Sequence, residues 1–333
     1  MDSVTQAALG AAVGHTVLGR QIGGKALAWG ALVATLPDLD VLVPLGDDVA
    51  DFTGHRSFSH SFVVQTVTAP LLAWAIGYLQ RSSRPFLRGR LALTYLCLVT
   101  HVLVDSLTVY GTQLWWPLSV PPTTGSTIFI IDPAYTAPLL IGVAGALIWR
   151  RTGGHRFNAI CLVISTAYLL FTVLAKVYVD QITERTLAAQ SIEHRGYLSM
   201  ASPFNALLWR VVVIDDDGYY EGYRSLFDDS PDITFRRFPG NYELLADIQH
   251  EHAIQRLQWF TKGFYGVRQV RSQIHIVDLR MGFEPAYVFG FVVGERRGDR
   301  IVATDNRRVD SGPDVMTAGW VWHRIWDERL EMP

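Results

Sequence analysis

The chain has 333 residues, 49% hydrophobic and only 18% charged, with a formal net charge of −2 at pH 7. Soluble domains carry about 25% charged residues, so this composition leans toward the membrane. The near-neutral charge without a basic block excludes a nucleic-acid binder, and two cysteines inside apolar segments, Cys97 and Cys161, exclude a disulfide framework or a cysteine metal site.

Charge is unevenly spread: residues 1–198 hold 13 Lys/Arg and 11 Asp/Glu, whereas the shorter stretch 199–333 holds 16 and 20. The division predicts a membrane domain over 1–179, a polar connector over 180–202 that is partly helical through ITERTLAAQSIEH, and a water-facing domain over 203–333. The Met-Asp start has no positive n-region, so the chain is expected to insert through its own spans.

In chain order, the first apolar segment is Val4–Leu18, short and rich in small residues, a partial or re-entrant helix. Ala26–Leu45 follows, apolar except for Asp38 and Asp40. Ser61–Leu79, Leu91–Tyr110, Ala134–Trp149 and Phe157–Val179 complete a set of about six. The connecting turns alternate in charge. Arg20 and Lys25, then Arg81, Arg84, Arg88 and Arg90, then Arg150, Arg151 and Arg156 occupy one side without any acid. Asp47, Asp48 and Asp51 occupy the other. Basic loops stay cytoplasmic, which predicts an exterior N-terminus and an exterior C-terminal domain.

Ionisable residues inside apolar spans mark candidate sites. Asp38 and Asp40 follow Pro37, which ends or kinks the helix. They are either helix-end caps or carboxylates that a cation neutralises. His55 and His60 lie in GHRSFSHS before the third span, with Ser59 or Ser61 as its cap. Neutral imidazoles are common ligands of zinc and similar ions. Arg56 between them either holds an anionic substrate oxygen or pairs with the acidic loop. His101 and Asp105 are spaced i, i+4, on one helix face one turn apart, and Thr108 extends that face. Asp2 and Gln6 begin on the same side. These groups converge on one membrane face and offer enough donors for one ion or for two. His15, nearer the other face, reads as structural or interfacial.

Beyond residue 202, Leu207–Ile214 and Tyr219–Ser225 read as strands joined at DDDG, a hairpin. Asn241–Phe260 reads as an amphipathic helix. Gln273–Leu279 and Ala286–Val293 read as further strands, and Trp320, Trp322 and Trp326 as a strand edge or a lid. The architecture expected is an all-α multi-span membrane domain followed by an α+β domain.

Several motifs in order resemble the YdjM-like family of inner-membrane, metal-dependent hydrolases. They are Pro37-Asp38-Leu39-Asp40, Gly54 through Ser61, His101 through Asp105, then Thr108, Gly111 and Leu114-Trp115-Trp116-Pro117. The match is close over about 1–120. Where the family often has a histidine near position 6, this chain has Gln6, a weak ligand. The family is similar, distantly, to zinc-dependent phospholipase C and P1-type nuclease enzymes. That resemblance implies phosphoester hydrolysis with zinc, manganese or another divalent ion. His55, His60, His101 and Asp105 are then the first candidate ligands. Asp38 and Asp40 would bind a second ion, complete the first set or act as base, with Arg56 orienting substrate oxygens. Location in the bilayer points to a lipid or lipid-linked substrate at the outer face of a bacterial cytoplasmic membrane. The rival expectations are a transporter and a non-catalytic scaffold whose exterior domain binds a partner protein.

Overall fold

The computed structural model describes residues 1–150, 152–309 and 316–331; Arg151 of the basic turns lies outside them. The chain forms two compact units, Met1–Val43 with Arg56–Val173, and Pro44–His55 with Leu174–Pro333.

The first unit is helical. Asp2 caps α1 (Ser3–Ile22) by accepting from the N–H groups of Val4 and Thr5, and Gly23, at φ 65°, ends it. Helix α1 is buried along most of its length and packs closely on α2 (Lys25–Thr35). The approach is so tight that a Cβ added to Gly10 would lie 2.3 Å from the Gly30 carbonyl oxygen, and one on Gly14 2.6 Å from that of Ala26. Small residues four apart permit this contact in apolar helices. Helix α2 is only 11 residues long, because Pro37 opens a 3-10 turn over Pro37–Leu42 that carries both aspartates. The expected second span is therefore a short helix followed by a polar turn.

Among the described residues, three helices are long and apolar enough to cross a membrane: α4 (Phe62–Leu79), α5 (Leu87–Ser106) and α7 (Gly154–Ala189). Helix α6 (Pro133–Ile148) is apolar but shorter. Val63, Val67, Leu71, Trp74 and Tyr78 form an exposed stripe at helical spacing on α4, while Gln65, Ala69, Ala73 and Ile76 face inward. An outward apolar stripe with small and polar residues inside is the pattern of a helix solvated by lipid. Arg90 is buried; its side chain donates to the carbonyls of Ala73 and Ser83 and holds the turn between α4 and α5.

The second unit contains the short helix α3 (Asp48–Gly54), whose Phe52 packs against Phe260 and Phe291. Helix α7 continues ten residues past the apolar stretch that ends at Val179, so part of the expected connector is helix. Strand β1 (Gly196–Ala201) follows, then β2 (Leu208–Ile214), β3 (Gly218–Ser225) and β4 (Phe235–Pro239), paired antiparallel in that order. Asp215 closes the β2–β3 turn by accepting from the N–H of Asp217 and from Arg237. That assigns the acidic run to turn chemistry. A second antiparallel sheet has the order β10 (Arg300–Val309), β9 (Gly290–Arg297), β6 (Gln273–Asp278), β5 (Tyr265–Val270). β7 (Gly282–Phe283) and β8 (Ala286–Tyr287) form a small hairpin, so the strand expected over Ala286–Val293 is two strands.

Two local expectations need correction. The helix expected over Asn241–Phe260 is a 3-10 turn at Tyr242–Leu245 and a separate α8 (His252–Thr261). The terminal tryptophans belong to a helix, α9 (Met316–Trp326), with Val321 and Ile325 inward and Trp322 and Trp326 outward. The i, i+4 pairs, not the alternation of three residues, were the informative spacing.

Arg210 and Glu221 form a buried two-pronged ion pair across β2 and β3, at 2.7 and 2.9 Å, and Tyr223 adds a hydroxyl donor to Glu221. Removing one partner leaves an uncompensated buried charge, which costs about 3–5 kcal/mol. Arg210→Met should therefore unfold the C-terminal unit at clearly lower denaturant, followed by near-UV circular dichroism. Pairing it with Glu221→Leu should restore most of the loss.

Candidate metal centre

Four side chains from three stretches of the first unit converge: Asp38 from the 3-10 turn after α2, His60 from a 3-10 turn before α4, and His101 and Asp105 from the last turns of α5. One ligand atom from each lies within 4.8 Å of every other. The two Nε2 atoms of His60 and His101 are 3.1 Å apart. Asp105 Oδ2 lies 3.1 Å from the first and 3.2 Å from the second, and Asp38 Oδ1 lies 3.5 Å from each. His60, His101 and Asp105 are fully buried, whereas the Asp38 side chain is 19% exposed and marks the open side.

The hydrogen bonds around His60 decide its tautomer. Asp40 Oδ2 accepts from Ser59 Oγ at 2.6 Å and from the Arg56 N–H at 3.0 Å. Ser59 has one proton, and an ionised carboxylate can only accept, so Ser59 donates to Asp40. Its oxygen, 2.8 Å from His60 Nδ1, then accepts the imidazole N–H. His60 Nε2 is left as a lone pair aimed at the other three donors. His101 Nδ1 is buried without a hydrogen-bond partner, so that ring too engages its surroundings through Nε2.

Two imidazole nitrogens and two carboxylate oxygens facing one another repel unless a cation stands among them. Tetrahedral zinc ligands at about 2.0–2.1 Å from the ion stand about 3.3 Å from each other. Five of the six donor separations are 3.1–3.5 Å, in agreement with that spacing. The residues present thus fit a small divalent ion with mixed nitrogen and oxygen ligands.

Other candidate residues take different places. Asp40 orients Ser59, His60 and the backbone of Arg56. Arg56, at φ 60° and buried, donates to Thr108 Oγ1 at 3.2 Å, lies 3.4 Å from Asp105 Oδ1 and sits over the Tyr110 ring at 5.2 Å. Asp105 is therefore an ion-pair partner of Arg56, whose Nε has no hydrogen-bond partner. Thr108 Oγ1 also donates to the Asp105 carbonyl. Gln6 is buried and its amide nitrogen donates to Asp105 Oδ1 at 3.0 Å; its carbonyl oxygen is unpartnered. The Met1 amino group contacts Asp105 Oδ1 as well. Asp2 is the α1 cap and is not among the four converging donors, and His55 is the residue that ends α3. Ser61, accepting from Val63 N–H, is the α4 cap, which leaves Ser59 for the histidine. Ser59 and Tyr110 are the participants that spacing alone did not single out. The signal for Ser59 was its place directly before His60.

A helical protein with three candidate membrane-spanning helices and a buried His/Asp cluster able to bind a metal, followed by a sheet-containing domain, is the class that fold and site define. The chain belongs to the YdjM inner membrane protein family, whose model matches residues 1–179. It is 26% identical over 252 residues to the uncharacterized protein YfhP of Bacillus subtilis, covering 72% of this chain and 73% of that one. It is 34% identical over 118 residues to the inner membrane protein YbcI of Escherichia coli, covering 34% of this chain and 64% of that protein. No solved structure matches the chain. Family membership and the apolar helices support an inner-membrane location.

His101→Ala should abolish stoichiometric binding of zinc in a chelator competition. Ser59→Ala or Asp40→Asn, which leave all four donors, should weaken it by about 10–100-fold.

Proposed function

We propose that the protein is a membrane-bound, metal-dependent hydrolase acting on a phosphoester of a lipid or lipid-linked substrate at the outer face of the inner membrane. The observation that carries this reading is the convergence of Asp38, His60, His101 and Asp105, with one side open at Asp38. These four residues would hold the ion. When bound, a divalent ion polarises a phosphoryl oxygen and brings the pKa of water toward neutrality.

The remaining chemistry belongs to the chain. Arg56 holds the non-reacting phosphoryl oxygens, for which its planar fork is suited, and its buried setting strengthens the attraction. Asp38, the member of the set with solvent access, takes the proton of the attacking water. Asp40 and Ser59 hold the His60 ring with its Nε2 free of hydrogen. Thr108 and Tyr110 keep the guanidinium of Arg56 in place.

Sidedness supports the outer face. Helix α5 carries Arg88 and Arg90 in its first turn and His101 and Asp105 in its last turns, and α4 has His60 just before its start and Arg81 just after its end. The basic ends are thereby opposite the cluster, and basic ends stay cytoplasmic. With α1, the short α2 and α6 counted beside α4, α5 and α7, the membrane part has about six crossings. The N-terminus and the C-terminal domain are then exterior.

The test uses the full chain purified in detergent, with metal content by mass spectrometry and phosphate or headgroup release from phosphatidic acid and phosphatidylglycerol. Wild type should carry metal and turn over one of them. His101→Ala should lose both, while Arg56→Lys should keep the metal and lose about 100-fold in kcat. Metal retained with turnover unchanged in His101→Ala overturns the proposal, as does a metal-loaded wild type inert toward every phosphoester lipid tried.

A further inference from the structure

The second unit carries a compact group of exposed aromatic side chains. Trp322 and Trp326, one turn apart on α9, are 60% and 59% exposed, and Phe227, two residues past β3, is 53% exposed. Phe227 stacks on Trp326 with centroids 5.0 Å apart and planes 16° from parallel, and Trp322 lies 6.1 Å from Trp326. The inward residues of α9, Val321 and Ile325, pack with Leu208 and Tyr223. The helix is thus satisfied on one face and presents an aromatic surface on the other.

Helix α7 identifies which end of the sheet this is. Tyr197 donates to Glu184, and Lys176 donates to the Ser199 carbonyl. Moving along α7 from Glu184 toward its apolar stretch therefore follows β1 from Tyr197 to Ser199 and on to Ala201. At that end β2 begins and β3 finishes, with Leu208 opposite Ser225 and the Leu226 N–H donating to the Leu207 carbonyl. Ser225 Oγ donates to the Ile325 carbonyl, which brings the last turn of α9 to the same end. The aromatic group consequently lies on the side toward which α7 displays Leu174 and Val177, exposed apolar residues of its membrane-crossing stretch.

We infer that this end of the C-terminal domain rests in the interfacial layer of the bilayer, with Trp322, Trp326 and Phe227 at headgroup level. Aromatic rings, and tryptophan above all, favour that layer because an apolar body and a polar N–H are both accommodated there. A second copy of the chain fits the observations less well. Three aromatic side chains exposed to this extent offer about 350 Å², whereas a stable protein interface needs about 800 Å² from each partner. The lipid-facing side of α7, by contrast, is continuous with the same end of the domain. The inference is independent of catalysis at the metal centre.

The experiment uses the full chain, one copy per nanodisc of phosphatidylcholine and phosphatidylglycerol. Nitroxide labels are placed by Trp322→Cys and Trp326→Cys, with a reference label by His250→Cys, whose side chain is 74% exposed. Cys97 and Cys161 are buried, and unsubstituted protein measures their background labelling. Both α9 labels should show a several-fold higher ratio of oxygen to water-soluble nickel-complex accessibility than the label at 250. A ratio equal to that at 250 overturns the inference, as does protection from both reagents, which would mean that protein covers the surface. Should the cysteine variants fail to fold, Trp322→Phe/Trp326→Phe provides a milder check. The share of tryptophan emission quenched by brominated lipid should fall relative to wild type, and an unchanged share overturns the inference.

Discussion

Asp105 is a carboxylate with no solvent access near the end of an apolar helix, and such a charge is tolerable only if its surroundings answer it. Its two oxygens divide the task. Oδ1 meets Gln6, the Met1 amino group and Arg56, all of them donors, while Oδ2 faces the Nε2 atoms of His60 and His101, with which a shared cation would reconcile it. These partners come from α1, from the segment before α4 and from α5 itself. Satisfying one carboxylate therefore requires three stretches of the membrane part to meet. The glycine contact between α1 and α2 serves the same end. It brings α2 against the helix that carries Gln6, and the turn opened by Pro37 then delivers Asp38 and Asp40.

Much of this was legible in sequence because lipid leaves so few explanations for a polar residue. Asp38, His60, His101 and Asp105 stood out as ionisable groups in apolar surroundings, and the i, i+4 spacing of the last two already placed them on one face. The periodicities of α4, α5 and α7 were equally plain, since continuous apolar runs of that length have one ready interpretation.

What sequence obscured has physical causes. His55 and His60 are chemically alike and share a motif, the backbone passes through a positive φ at Arg56 between them, and His60 is one of the four converging donors. No periodicity reports such a turn. That Arg56 meets Asp105 depended on long-range packing beside Thr108 and Tyr110. In the C-terminal domain, β1 fell within a stretch read as a connector, because Tyr197, Leu198 and Ser199 are only half-apolar. The break between Tyr242–Leu245 and α8 was likewise hidden by an apolar spacing that runs across it.

The exposed stripe on α4 extends from Val63 to Tyr78, a rise of about 23 Å at helical pitch. A typical hydrocarbon core is about 30 Å thick. A stripe shorter than its solvent is accommodated by thinning the bilayer around it, at a fraction of a kcal/mol per Å. Where thinning is the response, the lipids bordering α4 would be compressed, and headgroups on the side of Ser61 and His60 would lie closer to the protein. Hydrophobic mismatch would in this way shorten the path between a lipid phosphate and the open side of the cluster at Asp38.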